Sequence, residues 1–252
     1  VSERREAGVP SSSERGPSGR ARRAESGQNV SEGDLLEIAR RVAGAARDGE
    51  QVEAYVVRTR DTEVEVFDGE VESLTTASVE GVGVRVVSDQ RQGLAWAGSL
   101  DPDVIDETLA EARDNAVFGE PDQWYGLASP ADVNGVAPTS LDLWREELVS
   151  VPTEEKVRIA LDLERATKAA DPRIRNVEST SYGDTLAESA LANSLGVESH
   201  TRRTTCSASS VALADDGSGT QSGYGFVAGR ALSDLDLDSI PRDAATRACR
   251  LL

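Results

Sequence analysis

The sequence runs to 252 residues and is 38% hydrophobic, enough for a real core, but aromatics make up only 4% of it and Met is absent. Val, Leu, Ala and Ile must therefore fill the interior of one large domain or two ordinary ones. The formal charge is −18, and a surface that negative repels phosphate backbones, which argues against direct nucleic-acid binding and leaves solubility as the plain role of the charge.

Residues 1–33 form the first expected segment. They are rich in Ser, Gly, Pro, Arg and Glu with almost nothing to bury, a composition that predicts a disordered tail. Its cluster of Arg20, Arg22 and Arg23 suits an acidic partner or a solvated linker. Ser31 with Asp34 stands at capping-box spacing, and Leu35, Leu36, Ile38, Ala39, Val42, Ala43 and Ala46 follow helical periodicity to Gly49. The period then changes to two. Runs at Val52–Val56, Val64–Val66, Val71–Ala77, Val82–Val87 and Gly93–Ala97 read as an antiparallel meander, with turns at Asp68-Gly69 and Ser88–Arg91. Asp101-Pro102 opens a helix with Asp101 as N-cap and Pro102 at its first position, and an α+β domain over 34–118 is complete.

Residues 119–152 read as a linker, with Trp124, Tyr125 and Trp144 expected to anchor it. A second domain, 153–252, starts with a helix capped by Thr153 and running to Ala169. Extended segments follow at 174–182, 185–193, 197–213 and 220–230, with turns at Asn193–Gly196 and Asp215–Gly219. A last helix from Pro241 runs out at Leu252 without a cap, the ending expected of a chain that stops early. The fold class is thus α+β: two consecutive domains, each a mainly antiparallel sheet with flanking helices, after a disordered tail.

Catalytic constellations are hard to find in this chain. A helical zinc site needs two His one turn apart, and the only histidine, His200, sits in a strand context where a structural role is the plain reading. Cys206 lies six residues away, about 20 Å along extended chain. Cys206 and Cys249 belong to no Cys-x-x-Cys pair and read as reduced thiols of a cytoplasmic protein. No serine sits in Gly-x-Ser-x-Gly. The glycine runs at Gly81–Gly83 and Gly217–Gly219 lack the Lys-Ser/Thr ending of a phosphate loop and read as turns. Acidic pairs such as Glu146/Glu147 have no apolar setting to raise a pKa. No apolar run approaches the roughly 18–20 residues that cross a bilayer, and the N-terminus has no apolar signal stretch. No catalytic, cofactor-binding or metal-binding residue is therefore assigned, and a soluble cytoplasmic protein without a membrane partner is expected.

Longer stretches carry more information than these motifs. Glu53-x-Tyr55-x-x-Arg58, Gly69-x-Val71-Glu72-Ser73, Gly81-Val82-Gly83-Val84-Arg85-Val86 and Gly93-x-Ala95 follow in order, and Leu191–Glu198, Asp215-Asp216-Gly217 and Gln221-Ser222-Gly223-Tyr224 come later. Over roughly residues 35–252 the chain resembles the TldD/PmbA family, nearer its TldE (PmbA) branch. The resemblance implies a cytoplasmic, heterodimeric zinc peptidase acting on unfolded or extended peptides, linked also to control of DNA gyrase through small proteins. It further implies that a TldD-like partner carries zinc on a His-Glu-x-x-x-His motif, which this sequence lacks, and that a third, C-terminal domain is missing here. The expected function is a TldE-like partner subunit whose strands line one wall of a chamber, where a peptide adds to a sheet edge. The alternatives are a stand-alone binding module for small proteins such as gyrase inhibitors, an independent enzyme using His200, and an incomplete, non-functional fragment.

Overall fold

A computed structural model describes residues 34–136 and 141–252; the tail expected over 1–33, with its Arg cluster and the Ser31 cap, lies outside them. Helix α1 (Asp34–Ala43) leads into strands β1 (Glu50–Phe67), β2 (Glu70–Ser88) and β3 (Arg91–Ala97), followed by α2 (Pro102–Phe118). After a connection holding the short α3 (Glu146–Val149), the same order recurs: α4 (Thr153–Ala169), β4 (Ile174–Asn193), β5 (Glu198–Asp215), β6 (Thr220–Gly229) and α5 (Ser239–Cys249). The strands lie in the order β3-β2-β1-β4-β5-β6 with every neighbouring pair antiparallel. The α+β, antiparallel class read from the sequence holds, and the two halves join directly: β1 pairs with β4 from Glu53↔Asn193 to Val66↔Thr180.

Side-chain parity explains why all the long helices lie on one side. Val52, Ala54 and Val56 at the start of β1, and Val64 and Val66 at its end, are all even-numbered and buried, so they point to the same face. On that face Leu35, Ala39 and Val42 of α1 and Ile105, Leu109 and Ala112 of α2 cover the first group, together with Val82, Val84 and Val86 of β2. Ile159, Ala160 and Leu163 of α4 and Ile240 of α5 cover the second, together with Tyr182, Cys206 and Ala208. Each fully buried Val or Leu side chain contributes roughly 1.5–3 kcal/mol to this packing. Between the two groups, β1 presents Arg58 and Arg60. This polar gap is why the apolar period breaks in the sequence and suggests two short strands where one strand of 18 residues exists. The same holds for β2 and β4, each continuous across a break expected from the sequence.

Other expectations change in detail. The Asp68-Gly69 and Asp89-Gln90 turns have positive φ at both central residues, the geometry of tight hairpins. Asp101 and Pro152 occupy the N-cap positions of α2 and α4, but neither makes a side-chain cap bond, and Thr153 is already inside its helix. Of the three aromatics expected to anchor the linker, Trp144 stacks against Arg202 of β5, whereas Trp124 is 83% exposed and Tyr125 is also exposed. Leu127 and Leu148 are buried instead. Leu127 is tied down by its N–H bonding to Gln51 Oε1 at 2.8 Å.

The halves correspond closely. Each third strand meets the following helix through a glycine against a pair of alanines one turn apart. A Cβ added at Gly93 would collide with the backbone of Ala112 and Ala116 in α2, and one at Gly223 with the backbone of Ala244 and Ala248 in α5. Because the obstruction is main chain, it cannot rotate away, and Gly93→Ala and Gly223→Ala should each cost about 1–3 kcal/mol. Gly98→Ala, where a Cβ meets nothing within 4 Å, should leave the urea midpoint nearly unchanged. A second stability test concerns the joint between α2 and β1. Arg113 bonds Glu50 at 3.0–3.1 Å and the carbonyl of Ala45 at 2.7 Å. Burial pushes Glu50 up, but the Arg113 guanidinium and the Arg47 N–H outweigh it and hold the carboxyl below its ordinary value of 4.5. A depressed carboxylate stabilises the fold above that ordinary value and stops doing so as pH falls through the lowered one. Glu50→Gln should therefore be less stable than the parent at pH 7, with the gap closing below pH 4.5.

Candidate functional surface

The two faces of the sheet differ in chemistry. On the helix face, the polar gap in β1 continues as a ladder of alternating charge across four strands. Arg58 bonds Glu80 at 3.3 Å, faces Glu188 in the β1–β4 register, and Glu188 in turn faces Arg202 of β5. His200 Nε2 lies 2.8 Å from Glu188 Oε1, and Arg202 stacks over Trp144 at 3.9 Å from the ring centre. The one histidine of the sequence is thus part of an ion-pair ladder at the seam between the halves. A single carboxylate, that of Glu188, meets the imidazole there. Among the described residues, no group of three or more His, Cys, Asp or Glu is arranged to hold a metal ion. The thiols do not fit zinc or nucleophilic chemistry either, since both need thiolate. Burial, then the charge of Asp184, pushes Cys206 up to about 12, and burial raises Cys249 as well. The residues present here do not fit a zinc site.

The sequence reading passed over one buried polar cluster. Lys156 of α4 is buried with its Nζ 2.6 Å from Asp184 Oδ2 and 3.2 Å from Thr62 Oγ1. The Tyr182 hydroxyl is buried beside it without a hydrogen-bond partner, and burial with the nearby Asp184 charge raises its pKa above the usual phenol range. The signal was available: Lys156 precedes Ile159, Ala160 and Leu163 at helical spacing, inside the apolar stripe. This cluster locks α4 onto β1 and β4.

The opposite face is open. It carries no helix among the described residues, and only the Leu127 region of the linker overlies one end. Its centre is polar: Ser181, Gly183 and Thr185 of β4 lie between Ser209, Ser207 and Thr205 of β5 and the acidic Glu65, Glu63 and Asp61 of β1. Its margins are apolar. Leu94 and Trp96 on β3 are exposed, Trp96 by 82%, and with Tyr55 they border a shallow hollow of about 480 Å³. Tyr224 and Phe226 on β6 are also exposed and stack at 6.1 Å between ring centres. The two margins are equivalent: Gly93-Leu94-Ala95-Trp96 and Gly223-Tyr224-Gly225-Phe226 both turn small residues to the helices and large ones outward. These exposed apolar groups make the face a candidate surface for contact with another molecule.

The chain matches two family models, the PmbA/TldA metallopeptidase domain 1 over residues 52–116 and the PmbA/TldA metallopeptidase central domain over residues 146–252. It is 31% identical over 202 residues to the metalloprotease PmbA of Escherichia coli O157:H7, covering 80% of this chain and 44% of that protein. Against the metalloprotease PmbA homolog of Haemophilus influenzae it is 25% identical over 153 residues, 61% of this chain and 33% of the other. Among solved structures it is similar to a candidate modulator of DNA gyrase from Bacteroides thetaiotaomicron (TM-score 0.76, 22% identity, 86% of this chain and 49% of that one). TldE from Thermococcus kodakarensis shares the fold at TM-score 0.71 and 22% identity, over 85% of this chain and 46% of that one. The chain spans less than half the length of each of these relatives.

Asp184 is stripped of its counter-charge when Lys156 is removed. Lys156→Met should lower stability by about 3–5 kcal/mol, and Lys156→Met with Asp184→Leu should recover most of the loss in urea unfolding. Equal stability of the two variants would show that the pair does not hold α4 in place.

Proposed function

The chain belongs to the PmbA/TldD family, and from that premise we propose that it serves as a TldE/PmbA-like partner subunit of a cytoplasmic, heterodimeric zinc metallopeptidase that degrades or processes unfolded peptides. The observation that carries the proposal is the one-sided sheet. Four helices cover one face, and the other offers a broad Ser/Thr/Gly floor between two apolar margins. Such a floor leaves room for an extended chain against small side chains, and the margins are places for a second subunit to close over it. In this reading zinc belongs to a TldD-like subunit, because the residues here do not fit it. The part of this chain is to bind and enclose the peptide and exclude water from it.

Two observations support the reading: the curated relatives are named as metalloproteases, and a structural neighbour is named TldE. A second reading, a binding module that contacts small proteins without cleaving them, is favoured by the neighbours named as candidate modulators of DNA gyrase. An assay of casein or peptide cleavage separates the two. The chain alone should be inactive, and adding a TldD-like subunit should produce cleavage that a chelator abolishes. Trp96→Ser with Phe226→Ser should lower that activity at least tenfold, whereas His200→Ala should keep it. Chelator-sensitive cleavage by the chain alone, or stable protein binding with no cleavage in the pair, would overturn the subunit reading.

A further inference from the structure

The sheet is not closed at both edges. Strand β3 pairs with β2 only from Ser88 back to Val82, so the remaining residues of β2, Glu70–Gly81, have β1 on one side and no strand among the described residues on the other. Residues 74–80 are all exposed. The direction of their main-chain groups follows from β1. Val52 exchanges bonds with Ser194 on the β4 side, so the even-numbered residues of β1 face β4 and the odd-numbered ones face β2. Opposite them, in the register Arg60↔Ser78 and Asp61↔Ala77, the even-numbered residues of β2 point away from β1. Leu74, Thr76, Ser78 and Glu80 thus hold their N–H and C=O groups outward, a run of four unpaired donors and four acceptors. No Lys, no Pro and no bulge interrupts this stretch, and those are the usual devices that keep an edge from pairing. The one irregularity of the hairpin lies lower down, at Glu65/Val66.

On the open face the charge beside this edge is one-signed, while Arg58 and Arg60 of β1 lie on the helix face. On the open face Ser73, Thr75 and Ala77 are short, and behind them in β1 stand Glu65, Glu63 and Asp61, each directly opposite in register. A strand added to β2 would lie about 10 Å from β1. Arg or Lys side chains on that strand reach these carboxylates over the short residues between. A second copy of this chain, at −18 and with the same acids at its own edge, is repelled, whereas a basic segment is drawn in. Trp96 and Val79, both well exposed on the same face, stand where β3 stops and the added strand would begin.

We propose that the Leu74–Glu80 edge of β2 is a docking site for an extended basic peptide, which adds as an antiparallel strand in line with β3 and places Lys or Arg at alternate positions over Asp61, Glu63 and Glu65. The proposal rests on the reading that this chain handles extended peptides; it names the edge and the charge class that the edge selects. Main-chain pairing supplies the affinity and the carboxylate row the selectivity.

The test uses the 252-residue chain alone and a fluorescein-labelled ten-residue peptide of alternating Lys and Val, followed by anisotropy. The peptide should bind, and binding should weaken at least tenfold when Glu replaces Lys. Methylating the alternate amides that face β2 keeps the charge but removes the donors, and should weaken binding about tenfold as well. Ser78→Pro, which deletes an outward N–H without touching the ladder to β1, should match the methylated peptide. Glu63→Gln with Glu65→Gln should weaken binding about fivefold and flatten its salt dependence. Equal binding of the methylated peptide overturns the edge, and equal binding of the Glu peptide overturns the charge selection. No peptide binding, together with a dimer that Ser78→Pro dissolves, overturns the proposal in favour of self-pairing. Because cleavage plays no part, a peptide that binds at this edge while the pair with a TldD-like subunit stays inactive would uphold the site and sink only the subunit reading.

Discussion

Everything in this molecule depends on the pairing of β1 with β4. Each half, helix–three strands–helix, makes a small three-stranded sheet with one covered face and would present the inner edge of its first strand to water. Joining those two edges over Glu53–Val66 and Thr180–Asn193 removes both liabilities at once. The joint is antiparallel between equivalent strands, so the halves are related by an approximate two-fold axis through the middle of the sheet, as in an isologous dimer within one chain. That relation sends both sets of helices to the same face and leaves the other face without a helix among the described residues. The one-sidedness that makes the open face a candidate wall is thus a consequence of how the halves were joined.

The same axis accounts for the ladder of Glu80, Arg58, Glu188, Arg202 and His200. Helix α1 covers the seam at one end, over Val56 and Ala190, and α4 covers it at the other, over Val64 and Tyr182, so a gap is left between them. The residues of the gap on the helix face are therefore partly wet, and apolar side chains there would be exposed. Charged residues in alternation satisfy one another across the strands and keep the exposed seam polar. At the α4 end of this region, two further contacts hold the halves in register. Lys156 and Asp184 are fully withdrawn from water, and Glu164 of α4 accepts the N–H of Gly69 at the tip of the β1–β2 hairpin at 2.8 Å. The second half thus grips the far end of the first.

How much of this was legible in the sequence varies with the physical origin of each feature. Hairpin turns were plain, because Asp68-Gly69 and Asn193–Gly196 need residues that tolerate positive φ. Helix faces were plain wherever one side packs on the sheet, as at Leu35, Ala39 and Val42. Strand lengths were not, since apolar periodicity reports what covers a strand rather than the strand itself, and the uncovered seam reads as a break at Arg58–Thr62. The anchors of the connection were only partly legible, for a related reason. Aromatic size suggests burial, yet Trp144 finds its contact with an Arg, while Trp124 stays in solvent and the smaller Leu127 fills the available space.

The candidate surface was the least legible part, and the reason is specific. Its floor is Ser, Thr and Gly, residues that a sequence offers everywhere, and its margins are two pairs of large side chains separated by about 130 positions. Leu94/Trp96 and Tyr224/Phe226 acquire meaning only when the sheet sets them at opposite edges of the same face, each pair behind a glycine pressed against a helix. The acidic row Asp61, Glu63 and Glu65 is similar. In the sequence it is one more run among 45 acidic residues, and nothing distinguishes it from a solvated face. In the structure it runs parallel to an unpaired strand edge, with only Ser73, Thr75 and Ala77 between. Charge that merely keeps a protein soluble has no preferred direction. Charge lined up along open main-chain donors and acceptors does, because the groups that attract a basic segment and the groups that hold it lie one strand apart.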